Sequence, residues 1–214
     1  MNGYAPYVRH QLRFVLPAVS ALLAIALVLV IVLTRSHGGA PVSSADQNGA
    51  FDGAAFPGGL RAHDFTLTDQ YGRKLALSSY RGQVVMLAFL SPNCRTCVLV
   101  AQQVRGALDE LGPRPGVRTI FVSTQAGDLR ARVGHLLAET SLGGRVEYLT
   151  GSAKELQPVW HAYAVTPTSA GKAASEARVT VLLIDGEGIE RVGFGLEQIT
   201  PEGLAHDIRL LEGA

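Results

Sequence analysis

The chain has 214 residues, 47% of them apolar and 17% charged, with a formal net charge of +1. That balance excludes a disordered acidic tail and a basic nucleic-acid binder. Two cysteines are too few for a disulfide framework or a four-thiolate zinc site.

The apolar excess is concentrated near the start of the chain. From Phe14 to Leu33 run 20 residues without a charge. At about 1.5 Å per residue they reach roughly 30 Å, the thickness of a bilayer's hydrocarbon core. One transmembrane helix is predicted over 14–34. Arg9, His10 and Arg13 precede it, whereas only Arg35 and His37 follow closely. This bias puts residues 1–13 in the cytoplasm and the C-terminal part outside it, as a single-pass plasma-membrane protein. A cleaved signal peptide ending near Ser43-Ser44-Ala45 is the alternative, although its apolar core would run only about 7–15 residues.

From Ser36 onward, 16 Lys and Arg face 18 Asp and Glu. This mildly acidic part has no basic stripe, and nucleic acid is not expected as a partner. Residues 35–59 are rich in Gly, Ala and Ser and read as a flexible tether. A folded domain is predicted over 60–214.

Within it, Phe65–Thr68 and Lys74–Leu77 read as two short strands around the turn Gln70-Tyr71-Gly72-Arg73. Gln83–Phe89 is almost continuously apolar, as a strand buried on both faces would be. Cys97–Leu111 carries apolar residues at helical spacing and ends at Gly112, a C-terminal cap. A strand over Val117–Ser123, a helix over Asp128–Leu137 and a strand over Arg145–Leu149 follow. Ser152 and Glu155 form a capping box opening a helix through Tyr163, with Pro158 predicting a kink or restart. A polar loop follows Val165. Arg178–Ile184 and Ile189–Gly195 flank the hairpin turn Asp185-Gly186-Glu187-Gly188. Thr200-Pro201 opens a last amphipathic helix. Strands alternating with helices give a three-layer α/β/α domain with an N-terminal β-hairpin.

The two cysteines lie three positions apart, in Cys94-Arg95-Thr96-Cys97, between a buried strand and a helix. A helix N-terminus carries about half a positive charge and free N–H groups, which favour a thiolate. Arg95 adds a neighbouring cation. The first cysteine of such a pair is usually the exposed one, so Cys94 is the expected nucleophile and Cys97 the resolving residue. A structural disulfide, a zinc half-site lacking further cysteines and two apolar core cysteines are the bland alternatives.

Asp64-Phe-Thr-Leu-Thr-Asp-Gln-Tyr-Gly-Arg73, Leu77-Ser-Ser-Tyr-Arg-Gly82 and the strand through Phe89 resemble the opening of extracytoplasmic thioredoxin-fold proteins. These include the TlpA/ResA-like thioredoxins, the peroxiredoxins and the SCO/SenC family. Thr150-Gly-Ser-Ala-Lys-Glu-Leu156, Trp160-His-Ala-Tyr-Ala-Val165 and Leu183-Ile-Asp-Gly-Glu-Gly188 are similar more particularly to SCO/SenC. The resemblance spans 60–211 and implies a thioredoxin-like fold. It also implies a role in cytochrome c oxidase assembly, with oxidase subunits and other thiol or disulfide proteins outside the cytoplasm as partners.

The SCO/SenC family holds copper on two cysteines with three residues between them and on a histidine before the last hairpin. Here two residues separate Cys94 and Cys97, and Ala177 stands where that histidine would fall. Thioredoxins place a cis-proline before the strand facing the pair, and the corresponding residues near Arg178 and Val179 include none. Ser91 matches the peroxiredoxin position three before the reactive cysteine, but Leu87 replaces that motif's proline. His161, beside Trp160 and Tyr163, reads as a packing residue, with a substitute copper ligand as the lesser alternative; Trp160 reads as core.

Three readings follow. The first is a membrane-anchored thiol–disulfide oxidoreductase in which Cys94 attacks and Cys97 resolves, requiring no cofactor. The second is a SCO/SenC-type copper chaperone with copper(I) on Cys94 and Cys97, since soft thiolates suit that ion. The third is a thioredoxin-fold interaction module that has lost its chemistry.

Overall fold

The structure is a computed structural model that describes residues 51–113, 116–167 and 180–213. The span expected over 14–34, the segment 1–13, the first part of the tether and the positions Ala177, Arg178 and Val179 lie outside the described residues. Among the described residues no helix is long and apolar enough to cross a membrane.

A six-stranded mixed sheet forms the centre, with strands in the order β1-β8-β7-β4-β5-β6. Its middle strand is β4 (Val84–Leu90), in which all seven residues are buried. The apolar run predicts this, because both faces of a central strand are covered. β4 pairs in parallel with β5 (Val117–Ser123), and β5 in parallel with β6 (Glu147–Leu149). On its other side β4 runs antiparallel to β7 (Thr180–Ile184), which forms a hairpin with β8 (Ile189–Gly195).

Side-chain alternation along β4 sorts the core into two layers. Val84, Met86, Ala88 and Leu90 face α1 (Arg95–Leu111), α2 (Arg130–Glu139) and α4 (Pro201–Glu212). Val85, Leu87 and Phe89 face α3 (Ala153–Ala162) and a separate hairpin of β2 (Thr66–Thr68) and β3 (Lys74–Ala76). This is the expected three-layer α/β/α arrangement with its hairpin.

The tether ends earlier than expected. Residues Ala54–Arg61 form β1, which pairs antiparallel with β8 from Ala54 opposite Gly193 to Arg61 opposite Ile189. Composition pointed to a linker through residue 59. The strand depends instead on the free edge of β8, which a local pattern does not reveal. The capping box at α3 is present, with Ser152 Oγ accepting from the Glu155 N–H and the Glu155 carboxylate accepting from the Ser152 N–H at 2.8 Å. α3 continues through Pro158 as one helix. The imino acid removes a single bond, the one that would have reached the carbonyl four residues earlier.

Candidate functional site

Strands β4 and β5 are parallel neighbours, with Leu90 opposite Ser123. Their C-terminal ends therefore deliver two loops side by side, the position where open α/β sheets place their chemistry. One loop is Ser91-Pro92-Asn93-Cys94, leading into α1. The other is Ser123-Thr124-Gln125. The Thr124 N–H donates to the Leu90 carbonyl at 3.2 Å and stitches the loops together.

Cys94 is the N-cap of α1, with extended backbone (φ −111°, ψ 121°). Its sulfur accepts from the Cys97 N–H at 3.1 Å, the bond a serine or aspartate oxygen would make at a helix start. Cys94 and Cys97 are joined in a disulfide, with Cα atoms 5.1 Å apart. The Cys97 sulfur accepts from the Ser91 N–H at 3.4 Å. Each sulfur thus has a backbone donor, and the first turn of α1 holds no acidic residue to oppose negative charge.

The expected difference in exposure is small. Cys94 is 4% and Cys97 1% exposed, and both belong to the core cluster behind α1. Cys94 was expected to stand out into solvent; instead both cysteines are buried. Arg95 is exposed beside it.

Around the pair lies a polar framework. Asn93 Nδ2 donates to Gln125 Oε1 at 3.1 Å. Ser123 Oγ donates to the Gln125 carbonyl at 2.7 Å and accepts from the Gln125 N–H at 3.0 Å. The Trp160 indole N–H donates to the Ser123 carbonyl at 2.9 Å, and the Tyr148 hydroxyl to the Leu90 carbonyl at 2.6 Å. Trp160 is core, as expected, and braces the second loop. Asn93 and Gln125 lie in the two loops at the pair, and the sequence did not single them out. The available signal was topological: both follow strands that turn out to be parallel neighbours.

Among the described residues no histidine is grouped with the pair as a potential metal ligand. His161 is exposed on α3, and among the described residues the one group of three potential metal ligands is Asp52, His206 and Asp207. The segment 168–179 contains no histidine or cysteine. When reduced, the pair would offer two thiolates, and among the described residues no imidazole is grouped with them to complete a site of two thiolates and one imidazole.

The profile of the AhpC/TSA family matches residues 59–141. No curated protein matches the sequence. Among solved structures, the copper-bound ScoI of Bradyrhizobium japonicum is 25% identical, with a TM-score of 0.60, over 71% of this chain and 99% of that one. BsSco, a member of the Sco family of cytochrome c oxidase assembly proteins in which a disulfide switch was identified, is 19% identical. Its TM-score is 0.62, over 72% of this chain and 95% of that one. The thioredoxin domain of a Bacteroides vulgatus thiol-disulfide oxidoreductase is 14% identical, with a TM-score of 0.54, over 71% of this chain and 95% of that one. The last two likenesses establish the fold.

Proposed function

We propose that this protein is a Sco-like thiol–disulfide protein, anchored by one span over 14–34 and working outside the cytoplasm on partners of respiratory oxidase assembly. The observation that carries this reading is the Cys94–Cys97 disulfide at the start of α1, with a backbone N–H on each sulfur.

The chemistry is a two-electron exchange. A partner thiolate attacks the Cys94 sulfur; the new S–S bond forms as the Cys94–Cys97 bond breaks. Cys97 leaves as a thiolate, held by the Ser91 N–H, and takes up a proton. A second thiolate of the partner then attacks the partner's sulfur in the mixed disulfide and releases Cys94, which is protonated in turn. The pair gains two electrons and two protons, and the partner leaves as a disulfide.

A second reading is copper(I) carriage on the reduced pair. Solved neighbours favour it over a general oxidoreductase, because several of them are Sco proteins and ScoI holds copper. Two thiolates supply the soft donors that copper(I) prefers. The two-residue spacing and the absence of a histidine beside the pair among the described residues favour exchange.

One pair of measurements on the full-length chain in detergent separates the two. Equilibration in glutathione or dithiothreitol buffers should give a reversible dithiol–disulfide titration with a defined potential. A pair that stays oxidised while accessible overturns the exchange reading. Copper(I) titration of the reduced chain against a competing chelator should show no tight Cys94-dependent binding. One tightly bound equivalent, lost in Cys94→Ala, makes the copper reading the correct one.

A further inference from the structure

Both cysteines are almost fully buried, yet exchange requires in-line access to one of the sulfurs. Access to Cys94 therefore needs a local opening, and the Ser91–Cys94 segment carries the sulfur that has to be reached. Asn93, the residue immediately before Cys94, is exposed but tethered through its carboxamide to Gln125. Gln125 is only 9% exposed, and its backbone is locked in both directions by the Ser123 hydroxyl. Ser123 is itself fixed by the Trp160 indole. The backbone of the acceptor residue is thus held in place, and the donor belongs to the segment that carries Cys94.

Resting on the exchange reading above, we infer that the Asn93–Gln125 hydrogen bond is a latch that gates access of thiols to the Cys94–Cys97 disulfide. Asn93 and Gln125 are positioning residues: neither reaches a reacting atom, and neither changes the balance of the exchange. The latch holds the 91–94 turn closed between encounters, and each exchange event opens it once. Because the two amides are uncharged and touch neither sulfur, the latch resists opening equally with the pair as disulfide or dithiol. It therefore sets the rate in both directions and leaves the equilibrium alone.

The test uses the full-length chain in detergent with Gln125→Ala, Asn93→Ala and the double variant. Reduction by dithiothreitol and re-oxidation by oxidised glutathione are followed in time, and the reduction potential is measured. Either single variant should accelerate both directions by about three- to tenfold, the kinetic equivalent of one net hydrogen bond. The double variant should be no faster than the faster single one, since both remove the same contact. The potential should not move. Asn93 is exposed, so Asn93→Ala keeps the test sound should Gln125→Ala unfold.

Unchanged rates in Asn93→Ala overturn the latch, and so does acceleration in one direction with a shifted potential, which would make the contact a stabiliser of one redox state. If the wild-type pair does not exchange but Asn93→Ala does, the latch stands in its strongest form. If neither exchanges, there is nothing to gate, and the exchange reading fails with it.

Discussion

Cys94 and Cys97 differ less in burial than in what each sulfur receives. Cys94 stands at the positive end of α1 and accepts the Cys97 N–H, whereas Cys97 lies one turn in and accepts only the longer Ser91 bond. Once the pair is reduced, negative charge is better held at Cys94. With the other cysteine replaced by serine, Cys94 should alkylate about tenfold faster than Cys97 at neutral pH. Iodoacetamide kinetics on Cys97→Ser and Cys94→Ser check this, and equal rates would remove the assignment of Cys94 as nucleophile. The cysteine pair was legible because its information is local: a spacing of three between a strand and a helix. Asn93 and Gln125 were not, because they meet across 32 positions of sequence. Only the parallel pairing of β4 with β5 brings them together. The burial of Cys94 was hidden too, because a local spacing carries no account of tertiary packing.

The hairpin of β2 and β3 is pinned by carboxylates that the turn signal only half announced. Gly72, at φ 86°, supplies the left-handed residue that the turn needs. Asp69 accepts from the backbone of Tyr71 at 2.9 Å, the backbone of Arg73 at 2.7 Å and the Arg73 side chain at 2.7 Å. Burial pushes the Asp69 carboxyl up, but the donors from Arg73 and Tyr71 outweigh it and hold it below the ordinary carboxylate range. Asp64 is likewise raised by burial and lowered by more, through Ser78 and the Phe65 backbone. Both carboxyls are lowered in the folded state, so their contribution is complete above the unfolded value of about 4. It is lost as pH falls through the folded values. Stability in urea should therefore decline below about pH 4, and Asp69→Asn should flatten that decline. At neutral pH the same substitution should cost about 1–3 kcal/mol. An acid slope unchanged in Asp69→Asn would place the acid sensitivity elsewhere. Next to Asp69, Gln70 bonds the backbone of Val146 and Tyr148, covering edge strand β6. The turn itself could be read from Tyr-Gly; its docking onto β6 is a tertiary contact that no hairpin pattern encodes.

At the scale of the whole molecule, the entry of the chain into the domain is the part that composition misread. Phe51 packs on the α1–α4 layer, and Gly53 sits where a Cβ would come within 2.5 Å of Val192 and 2.8 Å of Phe194. A Gly- and Ala-rich stretch therefore serves two ends: it looks like a tether, yet here small residues permit a close approach to β8. What fastens it is Asp207, a fully buried carboxylate on α4 that accepts from the backbone N–H groups of Asp52 at 2.8 Å and Gly53 at 3.0 Å. His206 Nδ1 lies 2.9 Å from the same carboxylate. This joins the last helix to the first described residues, about 150 positions apart in sequence. Removing the carboxylate leaves two donors without partners, so Asp207→Ala should cost about 2–4 kcal/mol in denaturant unfolding. The loss should be local before it is global. Amide exchange at Asp52, Gly53 and along β1 should accelerate, while Val100 and Val104 in α1 stay protected, because β1 is an edge strand and α1 is held by the core independently. Equal acceleration in β1 and α1 would mean that β1 unfolds only with the whole domain. It would then be part of the cooperative core and not a strap between the tether and the sheet.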